Sequence, residues 1–428
     1  MFESLSVVDA DADEAALVQR IAELETAKSA AAAGQAKAIA DLDQKRRAAE
    51  AAAGVPGAQR GRGLASEIAL ARRDSPNRGG RHLGFARALV HEMPYTLAAL
   101  EAGALSEWRA TLIVRESACL TIEDRRRLDA EMCADQSELD GLGDARIAAA
   151  AKTIAYRLDP QAIVDRAVRA ENERSVSIRP APDTMTYVTA LLPMTQGVSV
   201  YAALKRAADT NGDGRGRGQV MADTLVERIT GQPADVPTPI AVNLVITNES
   251  LLGGGIDPAR IPGYGPIPAA IACQLASRAI TDERSKAALR RLYRHPDSGA
   301  LVAMESKSRL FPKGLAHFIS LRDERCRTPY CDAPIRHTDH ATPHNRDGPT
   351  NVVNGLGACE ACNYAKEAPR WRVRAWRDDL GCHIAEFTTP TGARHRSKAP
   401  PLLSEPPAAQ ASDIEVGVAN KLAHQHAA

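Results

Sequence analysis

Four of the chain's eight cysteines form two short-spaced pairs, Cys326/Cys331 and Cys359/Cys362, inside a stretch of 37 residues. Zinc takes four soft ligands in a tetrahedron, and two such pairs brought together by a hairpin or a strand-turn-helix supply them all. A closed four-thiolate site has no open position, so zinc there would hold structure and perform no chemistry. The remaining Cys119, Cys133, Cys273 and Cys382 stand alone and read as small buried hydrophobes.

Chemistry then falls to residues between and just behind the pairs. Asp339-His340 lies in an extended-looking segment, His337 to Pro343; Asn354 follows, and Asn363 comes directly after Cys362 on an expected short helix. Hydrolysis of a phosphodiester needs a base to activate water and a divalent cation to stabilise the transition state and the leaving oxygen. A histidine, a carboxylate and an amide oxygen can meet that need, and the oxygen ligands favour a hard ion, Mg²⁺ or Mn²⁺. Adjacent side chains in a strand point to opposite faces, so Asp339 and His340 are expected to diverge unless the strand is bulged. His344 lies four residues after His340, but Pro343 argues against the helix that would put both on one face. His337 reads as an exposed strand-start residue. Trp371 and Trp376 flank Arg372 and Arg374 in a predicted strand after the short helix, where the aromatics would pack inward and the arginines would face phosphate.

These residues carry a resemblance. Arg322-Asp323-Glu324-Arg325-Cys326, Cys331, Asp339-His340, Gly348-Pro349-Thr350, Asn354, Cys359-Glu360-Ala361-Cys362-Asn363 and Lys366 together resemble an HNH endonuclease of the ββα-metal class. The resemblance implies His340 as general base and Asp339 and Asn363 as ligands of the catalytic cation. It also implies that Asn354 orients the loop around the base and that Lys366 contacts phosphate. The last motif residue is Asn instead of His, a variant the family tolerates and one that goes with Mg²⁺ more than with catalytic zinc. Where the family usually has Gly-Gly before Thr, this chain has Gly348-Pro349. Upstream, Met93-Pro94-Tyr95-Thr96-Leu97, Glu101 to Ser106, Asp159-Pro160, Arg174 and Gly263-Tyr264-Gly265-Pro266-Ile267 resemble a large bacterial group in which a domain of unknown function precedes an HNH module.

The elements that must position this site read as mainly α with α+β parts. Residues 12 to 53 carry Leu17, Ile21, Leu24, Ala27 and Ala31 at helical spacing without a proline, which predicts one long helix with a coiled-coil character and a route to self-association. Residues 54 to 82 are rich in Gly, Pro and Arg and read as a connection holding a short helix; Arg60, Arg62, Arg72 and Arg73 there read as a solvated face, with phosphate contact as the functional alternative. Ser106, Thr121 with Asp124, and Asp159 before Pro160 mark helix starts. Short strands are expected at 175–179, 186–192 and 240–247, with helices at 195–209 and 217–230. The Gly-rich run Leu252 to Ile256 lacks phosphate-binding spacing and reads as a turn. The expected units are 1–82, 83–304, an HNH module at 305–398, and a disordered tail at 399–428 that is rich in Pro and Ala.

Composition narrows the partners. The chain has 54 Lys and Arg against 53 Asp and Glu, a formal charge of +1, so any nucleic-acid surface must arise from local clustering. Between 305 and 398 there are 16 Lys and Arg against 11 Asp and Glu, and four zinc-bound thiolates would trim that excess. No run is long and apolar enough to span a membrane and no secretory start is visible, so a cytoplasmic location is expected. In that reducing compartment paired cysteines favour metal over disulfide. Two function classes follow: an endonuclease that cuts or nicks DNA, and a catalytically silent, zinc-supported DNA-binding protein.

Overall fold

The computed structural model describes residues 3–210, 213–233, 246–247, 250, 255–261, 264–281 and 310–401. After a single-turn helix α1 (Glu3–Ser6), Asp13 accepts the Ala16 N–H at 2.8 Å and opens α2 (Glu14–Ala52). Gly34 has open space where a Cβ would sit, and it does not interrupt the helix. From Ser29 onward one face of α2 is buried, and small Ala32, Ala33, Ala36 and Ala40 let neighbouring helices come close. The C-terminal half of α2 is thus taken up inside the chain, whereas Leu17, Ile21 and Ala31 of the expected coiled-coil stripe are exposed. Val18 and Ile21, one to two turns from the start, are 66% and 68% exposed.

The bundle continues with α3 (Leu64–Ala71), α4 (Pro76–Glu92), α5 (Pro94–Ala102), α6 (Glu107–Ser117), α7 (Ile122–Cys133), α8 (Asp144–Leu158) and α9 (Pro160–Ala170). α2 packs on α4 and α5, and one apolar cluster joins Ile39, Leu64, Ile68, Leu89, Leu100, Ile113 and others across these helices. Residues 54–82 are therefore more than a connection, because α3 buries Leu64, Ile68 and Leu70. The helix starts fall where the sequence predicts them: Ser106 caps α6, Thr121 caps α7, and Asp159 accepts the Ala162 N–H behind a first-turn Pro160. Pro94 has no N–H to satisfy, and the next two backbone N–H groups, of Tyr95 and Thr96, donate to buried Asp129 on α7 at 2.8 Å each. That cross-helix cap accounts for the Pro94-Tyr95-Thr96 run.

The middle of the chain is sparser. β1 (Ser175–Pro180) and β2 (Thr186–Leu191) form an antiparallel hairpin, followed by α10 (Met194–Asp209) and α11 (Arg217–Thr230). A second small hairpin, β3 (Ala259–Ile261) with β4 (Gly265–Ile267), leads into α12 (Ala269–Thr281). The expected strand at 240–247 and the Gly-rich run at 252–256 lie mostly outside the described residues, as does the tail beyond 401.

The C-terminal module starts with α13 (Lys313–Asp323) and continues with β5 (His337–His340), β6 (Gly355–Ala358) and α14 (Glu360–Lys366). A three-stranded meander, β7 (Arg372–Arg377), β8 (His383–Thr388) and β9 (Arg394–Lys398), closes it. Val373, Ala385 and Phe387 on the meander's inner face share a core with Leu356, Ala358 and the four paired cysteines.

This module is seated on the helical bundle. Trp371 packs on Leu70 of α3 and on Ala368. Gly63, at φ +80°, could not carry a side chain, since a Cβ would stand 2.7 Å from the indole nitrogen of Trp371. Beside it, buried Glu67 pairs with buried Arg46 at 2.8 Å and accepts the Thr391 N–H at 3.0 Å from the turn between β8 and β9. Among the described residues no helix is long and apolar enough to cross a membrane.

Candidate metal centres and active site

β5 and β6 pair antiparallel, with Asp339 opposite Leu356 and His340 opposite Gly355, and Cys359 then caps the helix that follows at once. This strand pair and helix are held by residues before the first cysteine. Arg322 forks onto Asp323 at 2.7 and 2.9 Å and donates to the carbonyls of Val352 and Gly355, while Asp323 accepts the Gly357 N–H at 2.8 Å. Both side chains are buried. The Arg322-Asp323 dipeptide thus ties α13 to β6, a role that the sequence reading leaves unassigned. Its signal is a charged pair on a helix that also buries Leu315 and Ile319.

The four paired cysteines are free thiols, all buried, and their sulfur atoms lie within 4.8 Å of one another. Crowding splits their acidities. A hydrogen bond from Cys331 lowers the Cys326 thiol to about 7, and hydrogen bonding to Cys326 lowers Cys359 as well. Cys331 and Cys362 are pushed up, first by hydrogen bonding to Cys326, which holds the proton on them, and then by burial and the neighbouring negative charge. A divalent cation removes the conflict by letting all four ionise. The donor set and geometry therefore fit zinc. Of the solitary cysteines, Cys133 and Cys382 are buried as expected, whereas Cys119 and Cys273 are only partly so.

The other expected site residues converge beside this cluster. His340 is buried; its Nε2 lies 2.8 Å from the Thr350 hydroxyl, the Phe311 ring packs on it tilted by 47° with centroids 4.6 Å apart, and His344 meets it edge-on at 5.8 Å. Burial pulls the imidazole pKa below its ordinary value, with Asp339 opposing. Asp339 does not diverge from its neighbour. Its Oδ1 curls back to accept the His340 N–H at 2.8 Å and stands 3.6 Å from Nδ1. This correction to the simple alternation arises because His340 ends the strand, where the short Asp side chain can reach the next amide.

Asn354 holds the intervening loop closed. Its Oδ1 accepts the Thr342 N–H at 2.8 Å, and its Nδ2 donates to the carbonyls of Thr342 and Pro349 at 2.9 Å each. Gly348 is wedged in the same loop, where a Cβ would fall 1.8 Å from the Thr342 oxygen. Gly348 is thus sterically required in this loop. Asn363 follows Cys362 on α14, which packs against β5. Its Oδ1 is buried without a hydrogen-bond partner, a condition that costs about 1–3 kcal/mol unless a cation or donor meets it.

Lys366 lies elsewhere than expected. Its side chain is 3% exposed and its ammonium sits 2.8 Å from Asp339 Oδ2 and 2.5 Å from Glu367, so it faces a carboxylate and not an open phosphate surface. Burial opposes charge on Asp339, but Lys366 outweighs it and holds the carboxyl below the usual range. Arg372 and Arg374 are exposed as expected. Trp376 is a correction: it shares their outward face, because 372, 374 and 376 have the same strand parity, and Arg396 lies over its ring at 5.7 Å. His337 is exposed at the strand start. Arg72 is bound to Glu107 and Arg60 to the Val55 carbonyl, so two of the four arginines Arg60, Arg62, Arg72 and Arg73 serve local structure.

A family model described as "Domain of unknown function (DUF222)" matches residues 21–323, from within α2 to the end of α13, and so stops just ahead of Cys326. No curated protein matches the chain, and no solved structure does.

Proposed function

The chain belongs to the DUF222 family, and from that premise we propose that its C-terminal module is a metal-dependent HNH endonuclease that hydrolyses phosphodiester bonds in DNA. The observation that carries this reading is the orphaned Asn363 Oδ1 on the helix packed against the strand of Asp339 and His340. Asp339 and Asn363 would hold Mg²⁺ or Mn²⁺, and the four cysteines would hold a structural zinc. A divalent cation, when bound, stabilises negative charge on the phosphate and on the leaving oxygen.

The rest follows from the chain's own groups. If the Thr350 hydroxyl accepts from Nε2–H, the Nδ1 lone pair of His340 is free to take a proton from water. Burial favours the neutral ring that this requires. The water oxygen then bonds to phosphorus, the ester P–O bond breaks, and the leaving oxygen takes a proton from solvent. Thr350 and Phe311 act through His340 as positioning residues, and Asn354 fixes the loop that presents Thr350.

One observation favours a second reading, the silent zinc-supported DNA-binding module: the Lys366 ammonium already neutralises Asp339. The two readings part on a plasmid assay. With Mg²⁺ or Mn²⁺ the purified chain is expected to convert supercoiled plasmid, and His340→Ala to fall about 100-fold, as loss of a general base does. Equal conversion by both proteins removes His340 from the role, and no conversion by either leaves the silent reading. For the enzyme, Lys366→Met is expected to tighten Mn²⁺ binding about tenfold in a calorimetric titration, because a competing cation leaves the carboxylate. An unchanged affinity would separate Lys366 from the metal site.

A further inference from the structure

The meander β7–β8–β9 has two chemically distinct faces. Its register sets Arg374 beside Glu386 beside Arg396, Arg372 beside Thr388 beside Arg394, and Trp376 beside Ile384 beside Lys398. Strand alternation sends Val373, Ala375, Ala385 and Phe387 to the cysteine core and places five cations, Arg372, Arg374, Arg394, Arg396 and Lys398, together on the outer face. One carboxylate, Glu386, lies among them, and Asp378 pairs with Lys398 at the rim. The side chains of Arg374, Arg396 and Lys398 are 66%, 67% and 53% exposed.

We propose that this outer face is a docking surface for the phosphodiester backbone of a nucleic acid. The sheet does not need the whole charge excess: Glu386 on the central strand serves Arg374 and Arg396, whereas Arg372 and Arg394 flank the uncharged Thr388. Glu386 is 2% exposed at its side chain and accepts from Arg396 Nε at 2.7 Å and from Arg374 Nη2 at 3.1 Å. It brackets two guanidinium groups from below and leaves each with further N–H donors, a pre-organised pair of forks suited to phosphate oxygens. Trp376 supports Arg396 from the side. Cations repeating about 7 Å apart along a strand make a rigid lattice, which suits a regular polyanion. The hairpin that carries three of the five cations is fixed at its turn by the Thr391–Glu67 contact to the bundle. The proposal deepens the nuclease reading, on which the choice of nucleic acid rests, by naming where the substrate backbone lies.

The test uses the full chain in a His340→Ala background, so that binding is read without cleavage, and follows the anisotropy of a fluorescein-labelled DNA duplex across a salt series. Arg394→Gln, Arg396→Gln and Lys398→Gln together are expected to weaken binding tenfold or more. They should also flatten the slope of log K against log salt by about 2–3, as the loss of that many phosphate contacts does. Three equivalent removals on the bundle, Lys28→Gln, Arg127→Gln and Lys152→Gln, are expected to leave the slope unchanged. Equal losses in both triples would reduce the effect to overall charge and overturn the proposal. So would a meander triple, shown folded by its tryptophan emission, that binds DNA like the parent, or one that loses only adsorption to phosphatidylserine vesicles. A duplex RNA probe separates the two nucleic acids sharing this chemistry. Plasmid conversion by the same substitutions, with His340 restored, is scored separately. Lost binding beside an inactive wild type leaves the surface standing and the nuclease reading fallen; unimpaired binding and cutting leaves the reverse.

Discussion

Replacing Cys359 by Ser, or holding the chain in excess chelator, will unfold the C-terminal module while the helical bundle stays folded. The module's core is small: Leu356, Val373, Ala385 and Phe387 close directly around the four cysteines, so the cluster occupies the position that a larger apolar centre would fill. Without a cation those sulfur atoms crowd one another, and two of the thiols resist ionisation. Structural zinc contributes on the order of 10–16 kcal/mol in small domains at neutral pH, more than a core of this size supplies alone. The bundle has its own apolar cluster, from Ile39 and Leu64 through Ile113 to Ile147, and does not share the cysteines. Tryptophan emission distinguishes the two parts, because Trp371 is buried at the junction and Trp376 lies on the meander, whereas Trp108 belongs to the bundle and is 56% exposed. The expected result is about one zinc per chain by elemental analysis, a red shift on its removal, and largely retained helical ellipticity. A metal-free chain with unshifted emission would refute the zinc reading.

How far the sequence reveals this site depends on the range of the interactions involved. Paired cysteines are legible because both their chemistry and their spacing are local, and the helix caps at Ser106, Thr121 and Asp159 are legible for the same reason. The Trp376 face is legible too, since parity with Arg372 and Arg374 decides it over the general tendency of aromatics to pack inward. The place of Lys366 is not legible. Its partner Asp339 is 27 positions away in sequence, and only the packing of α14 on β5 brings ammonium and carboxylate together. The Arg322–Asp323 clamp depends likewise on β6, more than thirty positions downstream. Glu67 is intermediate. It is the one charged residue in the helix Leu64–Ala71, which is apolar nearly all round, and that pattern marks a buried helix whose single carboxylate needs a partner. The identity of that partner, Thr391, 324 positions later, is a property of the fold alone.

Glu67 therefore supports the second large effect. Its carboxylate joins three separate parts of the chain: it pairs with Arg46 on α2, it belongs to α3, and it accepts both the amide and the hydroxyl of Thr391 at the β8–β9 turn. Glu67→Ala leaves Arg46, whose side chain is 5% exposed, charged and unpaired. Breaking a buried pair in this way costs about 3–5 kcal/mol. Glu67→Gln keeps an acceptor for Thr391 but removes the charge, and should cost about 1.5–3 kcal/mol, the range for a charged hydrogen bond. Thr391→Ala should cost less than either, and a double-mutant cycle between 67 and 391 should give a coupling of about 0.5–3 kcal/mol. Acid should erode the same contact. Burial opposes the charge on Glu67, yet Thr391 and then Arg46 outweigh it and hold the carboxyl below its usual value. A depressed folded-state pKa means that the stabilisation is complete above the unfolded value of about 4.3 and is lost as pH falls through the lower folded one. The wild type should thus lose stability faster than Glu67→Gln on acidification from pH 5, in denaturant titrations followed by Trp371. If Glu67→Ala is destabilised by less than about 0.5 kcal/mol, the range of ordinary surface changes, the module and the bundle are not coupled through this carboxylate.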